Sequence, residues 1–257
     1  MTFHDLHHGD SPLLLPNAWD VASALAFVAA GYPALGTTSF GVNAAAGHPD
    51  GGRSMKDATA RLAGALAVLP AYVSMDVEDG YDDDPERVAA YVGGLGVAGV
   101  NIEDSTAGSL VAPAAHAAKI TAVKRRSPGL FVNARVDTYW LARDATVGAT
   151  LARARAYVEA GADGIFVPGL SDPDEVREVT AALGVPVNLL VVPGRSLRDL
   201  AALGVRRVST GSLPYRAAID AAVAVADAVR DGEPAPTATP YGEAQDRLVR
   251  YQRLRSP

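Results

Sequence analysis

Met75-Asp76-Val77-Glu78-Asp79-Gly80-Tyr81 follows the apolar, β-rich run Ala71-Tyr72-Val73. The pattern returns where Val97-Ala98-Gly99-Val100 leads into Asn101-Ile102-Glu103-Asp104-Ser105. Between the two lies a helix-like segment. Carboxylates at the ends of successive strands separated by a helix converge on one point in a parallel α/β fold, because the crossover returns each strand to the same edge. Acids gathered in this way repel one another and are costly to desolvate. A hard divalent cation relieves that cost, and Mg²⁺ favours oxygen ligands while keeping several waters. The reading is a Mg²⁺-dependent enzyme, with Mn²⁺ as a possible substitute metal, whose metal holds an anionic substrate.

Outward from these motifs the chain alternates short apolar runs with longer amphipathic segments. Strands are predicted at Leu13–Leu15, Ala34–Thr38, Tyr72–Asp76, Gly99–Ile102, Leu130–Asn133, Gly164–Val167, Val187–Val191 and Arg207–Ser209. Three- and four-residue apolar spacing predicts helices at Asp20–Ala30, Lys56–Val68, Pro85–Leu95, Pro113–Arg125, Thr146–Ala160, Pro173–Leu183, Ser196–Leu203 and Tyr215–Val229. Asp144 and Asp172 are candidate helix caps, and Gly31, Gly161 and Gly184 stand where helices stop. Eight β-then-α units indicate an α/β fold, a (β/α)₈ TIM-type barrel with its catalytic groups on the loops after the strands. An open doubly wound sheet is the alternative, but no G-x-G-x-x-G follows the first strand.

The barrel is assigned to residues 1–231. Residues 232–257 are a Pro-rich linker, Gly232 to Pro240, and a basic helix over Glu243–Arg255 with Ala244, Leu248, Tyr251 and Leu254 in one narrow stripe. Such a helix docks on a neighbour, swapped between subunits or packed in an oligomer, or else frays. Of 257 residues, 49% are hydrophobic and 20% charged, ordinary for a chain with a sizeable core. The net charge of −6 argues against nucleic-acid or anionic-membrane partners. There is no cysteine, hence no disulfide, thiolate metal site or cysteine nucleophile. Neither a signal peptide nor a membrane span is expected, which makes the cytoplasm the default location.

Each strand end offers candidates. Asn17 and Trp19 follow the first; Asn17 either bonds substrate or braces a loop, and Trp19 either walls the pocket or packs in the core. The second is followed by Thr38 and Ser39, small hydroxyls beside free amides that suit a carboxylate or oxyanion, and then by Asp50 in a Gly/Pro-rich loop. The third delivers Asp76 and Glu78, alternate residues that share a face if the segment stays extended. Asp79 and Asp82 to Asp84 read instead as the solvated acidic start of a helix. The fourth delivers Glu103, with Asp104 as the alternative. The fifth delivers Arg135, a clamp for a carboxylate or oxyanion, an ion-pair partner of Glu103 or Asp137, or both. Asn188 and Ser209 to Ser212 read as neutral lining. No lysine sits at a predicted strand end, which argues against Schiff-base chemistry.

Pro16-Asn17-Ala18-Trp19-Asp20, Asp76-x-Glu78-x-Gly80-Tyr81, Asn101-Ile102-Glu103-Asp104-Ser105 and Asn133-Ala134-Arg135-x-Asp137 resemble, in order, motifs of the isocitrate lyase/phosphoenolpyruvate mutase superfamily, from about Leu13 to Ser212. The resemblance implies a barrel with a C-terminal helix often swapped in a homo-dimer or homo-tetramer, Mg²⁺, and a 2-oxo acid or its enolate as ligand. It implies that Asp76 binds the metal directly or through water. Asp50, Glu78 and Glu103 would hold metal-bound waters, Arg135 the oxo oxygen or carboxylate, and Thr38 and Ser39 the carboxylate.

The chain departs from the family where the reaction is decided. Family lyases place a Lys-Lys-Cys-Gly-His loop after the fourth strand; here it reads Ser105-Thr106-Ala107-Gly108-Ser109-Leu110. The polar gating loop of the mutases and phosphonopyruvate hydrolases is also missing, and Pro168 stands where a histidine is often found. The expectation is a short, divergent member: a C–C lyase or decarboxylase for a small 2-oxo acid or related dicarboxylate, acting through an enolate. The proton donor would be a metal-bound water, Tyr81 or Ser39. A phosphonopyruvate mutase or hydrolase and a barrel that binds a 2-oxo acid without turnover are the alternatives.

Overall fold

In the computed structural model, which describes residues 1–255, nine strands form one parallel sheet ordered β1-β11-β10-β9-β8-β5-β4-β3-β2. In chain order these are β1 (Leu13–Leu15), β2 (Asn17–Ala18), β3 (Ala34–Thr37), β4 (Tyr72–Asp76) and β5 (Gly99–Glu103), then β8 (Phe131–Arg135), β9 (Gly164–Phe166), β10 (Val187–Leu190) and β11 (Arg207–Ser209). A hairpin of β6 (Ser105–Thr106) and β7 (Ser109–Leu110) stands apart. The sheet closes because β1 and β2 are one stave interrupted at Pro16. Leu15 pairs with Ser209 of β11, Asn17 pairs with Gly36 of β3, and the Pro16 carbonyl accepts from the Gly36 amide at 2.8 Å. Counting them as one stave leaves the expected eight-stranded barrel.

Helices cover the outside: α1 (Val21–Ala29), α3 (Lys56–Leu66), α4 (Pro85–Gly93), α5 (Pro113–Arg126), α6 (Val147–Glu159), α7 (Pro173–Ala182) and α8 (Leu197–Ala202). A short α2 (Ser39–Ala45) lies at the barrel mouth, where the sequence suggested a loop. Their starts are chemically marked. Asp20 and Ser23 form a reciprocal capping box, Asp84 caps α4 ahead of Pro85, and Asp172 caps α7 ahead of Pro173. Asp144 does not cap α6. It takes a left-handed conformation (φ 49°), and the cap falls to the Thr146 hydroxyl.

The last two helices behave differently from the rest. α9 (Leu213–Asp231) buries none of its side chains. After the Pro-rich linker, α10 (Tyr241–Arg255) returns to its own barrel, where Tyr251 is buried and its hydroxyl donates to the Ala65 carbonyl at 3.0 Å.

The main apolar core lies between sheet and helices. A second cluster of Phe3, Leu13, Leu15, Ala34 and Phe131 plugs the bottom of the barrel, with His7 stacked on Phe131 at 4.1 Å. Above it the barrel interior turns polar, through Ser74, Asn101, Asn133, Asn188 and Arg207, all fully or almost fully buried.

Candidate active site

The carboxyl ends of the strands open onto a cavity of about 80 Å³. Its lining includes Asn17, Thr37, Thr38, Ser39, Asp50, Asp76, Asn101, Arg135, Trp140, Phe166, Pro168 and Ser209. A neighbouring cavity of about 180 Å³ shares Asp50, Arg135 and Trp140 and adds Arg53, Glu78, Glu103 and the hairpin.

Asp76, the last residue of β4, stands at the centre. Its amide donates to Thr37 Oγ1 at 2.9 Å, and its Oδ2 accepts from the Ser39 amide at 3.0 Å. Its Oδ1 is buried without a partner among the described residues. Burial raises the Asp76 pKa, opposed by Arg135 and by the Ser39 amide. Glu103, at the end of β5, forms an ion pair with Arg135 Nη1, yet burial and its acidic neighbours hold its pKa well above the usual carboxylate range. Arg135 also donates from Nε to Asp137 Oδ1, so both expected ion pairs form. Among the described residues Nη2 has no partner, and the guanidinium faces the Trp140 ring at 5.5 Å.

Glu78 leaves the extended path, with φ 48°. It is held by Asn43 Nδ2 at 3.4 Å and the Arg53 amide at 3.1 Å; Asn43 Nδ2 also donates to Asp50 Oδ1 at 3.1 Å. Asn43 thus ties two of the four candidate metal acids together. Burial raises the Glu78 pKa as well.

Among the described residues, no group of three or more His, Asp or Glu side chains closes tightly enough to cage an ion. The arrangement fits a cation that keeps most of its waters: one buried, unpartnered oxygen on Asp76, with further carboxylates beyond it.

Other expected residues sit elsewhere. Tyr81 turns away from the cavity, its hydroxyl 2.9 Å from Thr59 Oγ1 and its ring against Tyr91, and burial pushes its pKa up. It is not placed to donate a proton. Trp19 is not part of the cavity lining and packs on Tyr215 at 5.5 Å. Asn188 is buried below the lining and exchanges hydrogen bonds with Ser209 at 3.0 and 3.2 Å.

Asn17 does reach the cavity, but as a brace. Its Oδ1 accepts from the Thr210 and Gly211 amides, both at 2.9 Å, and its Nδ2 donates to the Thr37 carbonyl at 2.7 Å. A Cβ on Gly36 would come within 2.6 Å of that Nδ2, which is why glycine stands there. Asp104, the alternative to Glu103, turns away from the mouth to Arg153 and Tyr157. Asp79 is buried rather than solvated, bound to Arg53, Thr106 and Lys119. Asn43, Asn101, Trp140 and Phe166 belong to the site without having been singled out. Asn101 was findable, since it stands two residues before Glu103 on the same inward face.

A closed parallel barrel with acids and arginines around the cavities at its carboxyl mouth defines a protein of the TIM-barrel class. The sequence family described as phosphoenolpyruvate phosphomutase matches residues 3–230, and the chain belongs to that family, within the isocitrate lyase/phosphoenolpyruvate mutase superfamily. An uncharacterised Mycobacterium tuberculosis protein is 57% identical over 252 residues, 98% of each chain. An oxaloacetate decarboxylase of Pseudomonas entomophila is 34% identical, over 62% of this chain and 58% of its own. A 2-methylisocitrate lyase of Halalkalibacterium halodurans is 32% identical, over 72% of this chain and 65% of its own. Among solved structures, a Burkholderia cenocepacia protein provisionally assigned as a phosphonomutase superposes with TM-score 0.82 at 38% identity, over 88% of this chain and 97% of that one. A phosphonopyruvate hydrolase in complex with oxalate and Mg²⁺ shares the fold, with TM-score 0.85 at 24% identity over 99% of this chain and 97% of that one.

Proposed function

We propose that this protein is a Mg²⁺-dependent C–C lyase or decarboxylase for a small 2-oxo acid or related dicarboxylate, working through an enolate. The observation that carries the reading is the buried, unpartnered Oδ1 of Asp76 in the same cavity as Arg135. Asp76 would hold the cation, with Asp50, Glu78 and Glu103 bonding its waters. Bound there, Mg²⁺ would supply a Lewis acid for the carbonyl oxygen of the substrate.

The remaining work falls to the chain. Arg135 is fixed by Glu103 and Asp137, so its Nη2 donor faces developing negative charge without reorganising. Ser39 holds Asp76 in place through its amide and, with Thr38, lines the cavity where a carboxylate would lie. Trp140 and Phe166 flank the guanidinium, their ring centroids 5.5 and 5.9 Å from it. Of the candidate proton donors on the chain, Ser39 is the one at the cavity wall.

A phosphonate substrate is the second reading, favoured by the family match and by the Burkholderia neighbour. A phosphonate carries more charge than a carboxylate. The basic side chains lining the two cavities are Arg135 and Arg53, and Arg53 is already engaged by Asp79 and Asp83. That scarcity favours the carboxylate substrate.

The test is pyruvate release from oxaloacetate with Mg²⁺, run beside phosphate release from phosphonopyruvate. Asp76→Ala is expected to abolish both Mg²⁺ binding and turnover; an active variant would refute the assignment of the cation to Asp76. Ligand binding without product on any substrate would instead favour a non-catalytic binder.

A further inference from the structure

The barrel interior beneath the cavity is unusual for this architecture, whose layers are commonly filled by branched aliphatics. Arg207, at the start of β11, is wholly buried. Its Nη2 donates to Asn101 Oδ1 at 3.0 Å and more loosely to Ser74 Oγ at 3.4 Å. Nε and Nη1 find no partner among the described residues, and the acid whose field reaches the group is Asp76. A cation buried with so little compensation is costly. Packing alone is a poor reason to keep it.

The hydrogen-bond chemistry supplies a better one. Asn101 Oδ1 also accepts from Asn133 Nδ2 at 2.8 Å. An asparagine pair on its own leaves the amide orientation open, since either amide can be turned over. A guanidinium ends that freedom, because it donates and never accepts. The atom of Asn101 that faces Arg207 is therefore oxygen, and the NH₂ group is turned away from it. Asn101 lines the cavity, and no acceptor among the described residues meets its Nδ2.

We infer that Asn101 is a substrate-binding residue whose Nδ2–H groups are offered to an anionic oxygen of the ligand, a carboxylate or enolate oxygen, and that Arg207 is the positioning residue that locks this orientation. The inference rests on the 2-oxo acid reading of the same site. In a mouth lined by Asp50, Asp76 and Glu103, a donor pointing the right way matters. A flipped amide would present its carbonyl to the anion and repel it.

The experiment is oxalate binding in the presence of Mg²⁺, by titration calorimetry on the full chain. It compares wild type with Asn101→Asp, Arg207→Met and Arg207→Lys, and adds oxaloacetate kinetics. Asn101→Asp is isosteric but replaces the donor with a charge, and is expected to weaken oxalate about ten- to a hundredfold. The Asn101 side-chain amide resonance, identified by its absence from that variant, is expected to shift when oxalate is added. Arg207→Met is expected to raise KM more than it lowers kcat, and Arg207→Lys, which keeps a buried donor, to recover most of the affinity. That recovery separates orientation from a folding defect.

Wild-type affinity in Asn101→Asp, with an unmoved amide resonance, would overturn the role of Asn101 and leave the proposed function standing. Wild-type affinity in Arg207→Met, or no recovery in Arg207→Lys, would overturn the role of Arg207. A wild-type chain that neither binds oxalate nor consumes oxaloacetate would refute the 2-oxo acid reading, and the assignment of Asn101 with it.

Discussion

His116 sits wholly buried on α5, its ring edge-on to Tyr157 at 4.6 Å and neither ring nitrogen bonded to any described residue. Burial, with Lys119 and Arg153 nearby, pushes its pKa from 6.5 down to about 3. The folded state thus refuses a proton that the unfolded chain takes up below pH 6.5, so stability falls as the pH drops through that value. By pH 5 the loss from this group is on the order of 2 kcal/mol. Urea unfolding at pH 5 and 7 should show wild type losing about that much more than His116→Leu; parallel pH dependence would contradict the burial argument. Nothing around His116 in the sequence announces this, because the helices that enclose it are distant in the chain. Asp76 and Arg135 were legible for the opposite reason: each closes a strand, and strand ends meet at one place in any parallel barrel. Glu78 and Tyr81 lie beyond the strand end, where left-handed backbone at both (φ 48° and 61°) ends the alternation that would have aimed their side chains. Arg207 was legible in principle. It stands two residues before Ser209 and shares its inward face, but a buried arginine is not what a strand pattern suggests.

At the scale of elements, the strand and helix order was readable almost throughout, since the two periodicities alternate without ambiguity. What escaped was local chemistry supplied from far away. The β6–β7 hairpin turns on Ala107 and Gly108, both left-handed (φ 48° and 74°), as a two-residue turn requires. It is tied down by the Thr106 hydroxyl, which donates to Asp79. Asp79 also binds the Arg53 guanidinium, while Lys119 of α5 donates to the Asp79 carbonyl at 2.8 Å. One residue thereby joins the hairpin, the loop carrying Asp50 and the helix layer, the first two through its carboxylate and the last through its carbonyl. A charge pattern read along the chain saw only a run of acids, because the partner cations lie 26 and 40 residues away. Removing one partner of a buried ion pair leaves the others uncompensated, so Asp79→Ala is expected to cost about 3–5 kcal/mol in chemical denaturation. Thr106→Val removes only the tie to the hairpin. It should leave stability within about 1.5 kcal/mol of wild type while raising the protease sensitivity of the 105–110 loop. Equal losses in the two variants would mean that Asp79 matters through the hairpin alone.

For the whole molecule, the feature that asks for an explanation is a long helix with no buried residue. α9 spans 19 residues and buries none of them. Ile219 is 50% exposed, Val223 57% and Val229 66%, and with Ala222 and Ala226 they form one apolar stripe at helical spacing. A stripe of this length on an isolated chain is a liability that a monomer rarely carries. The helix is nevertheless anchored where it begins, with Tyr215 packed between Trp19 at 5.5 Å and Phe40 at 6.1 Å, so its direction is set by the barrel. α10 is already seated on its own barrel through Tyr251, so α9 is the helix predicted to take a partner. The expected occupant is a second copy of the chain, in a homo-dimer or a tetramer built from dimers. Light scattering on the purified protein should then give at least twice the 26.5 kDa of one chain. Ile219→Asp with Val223→Asp places two charges in the middle of the stripe. Because both positions are exposed, the charges should leave the barrel folded by circular dichroism while shifting the mass to that of a monomer. A wild-type monomer at micromolar concentration, or a double variant that keeps the wild-type mass, would remove α9 from the interface.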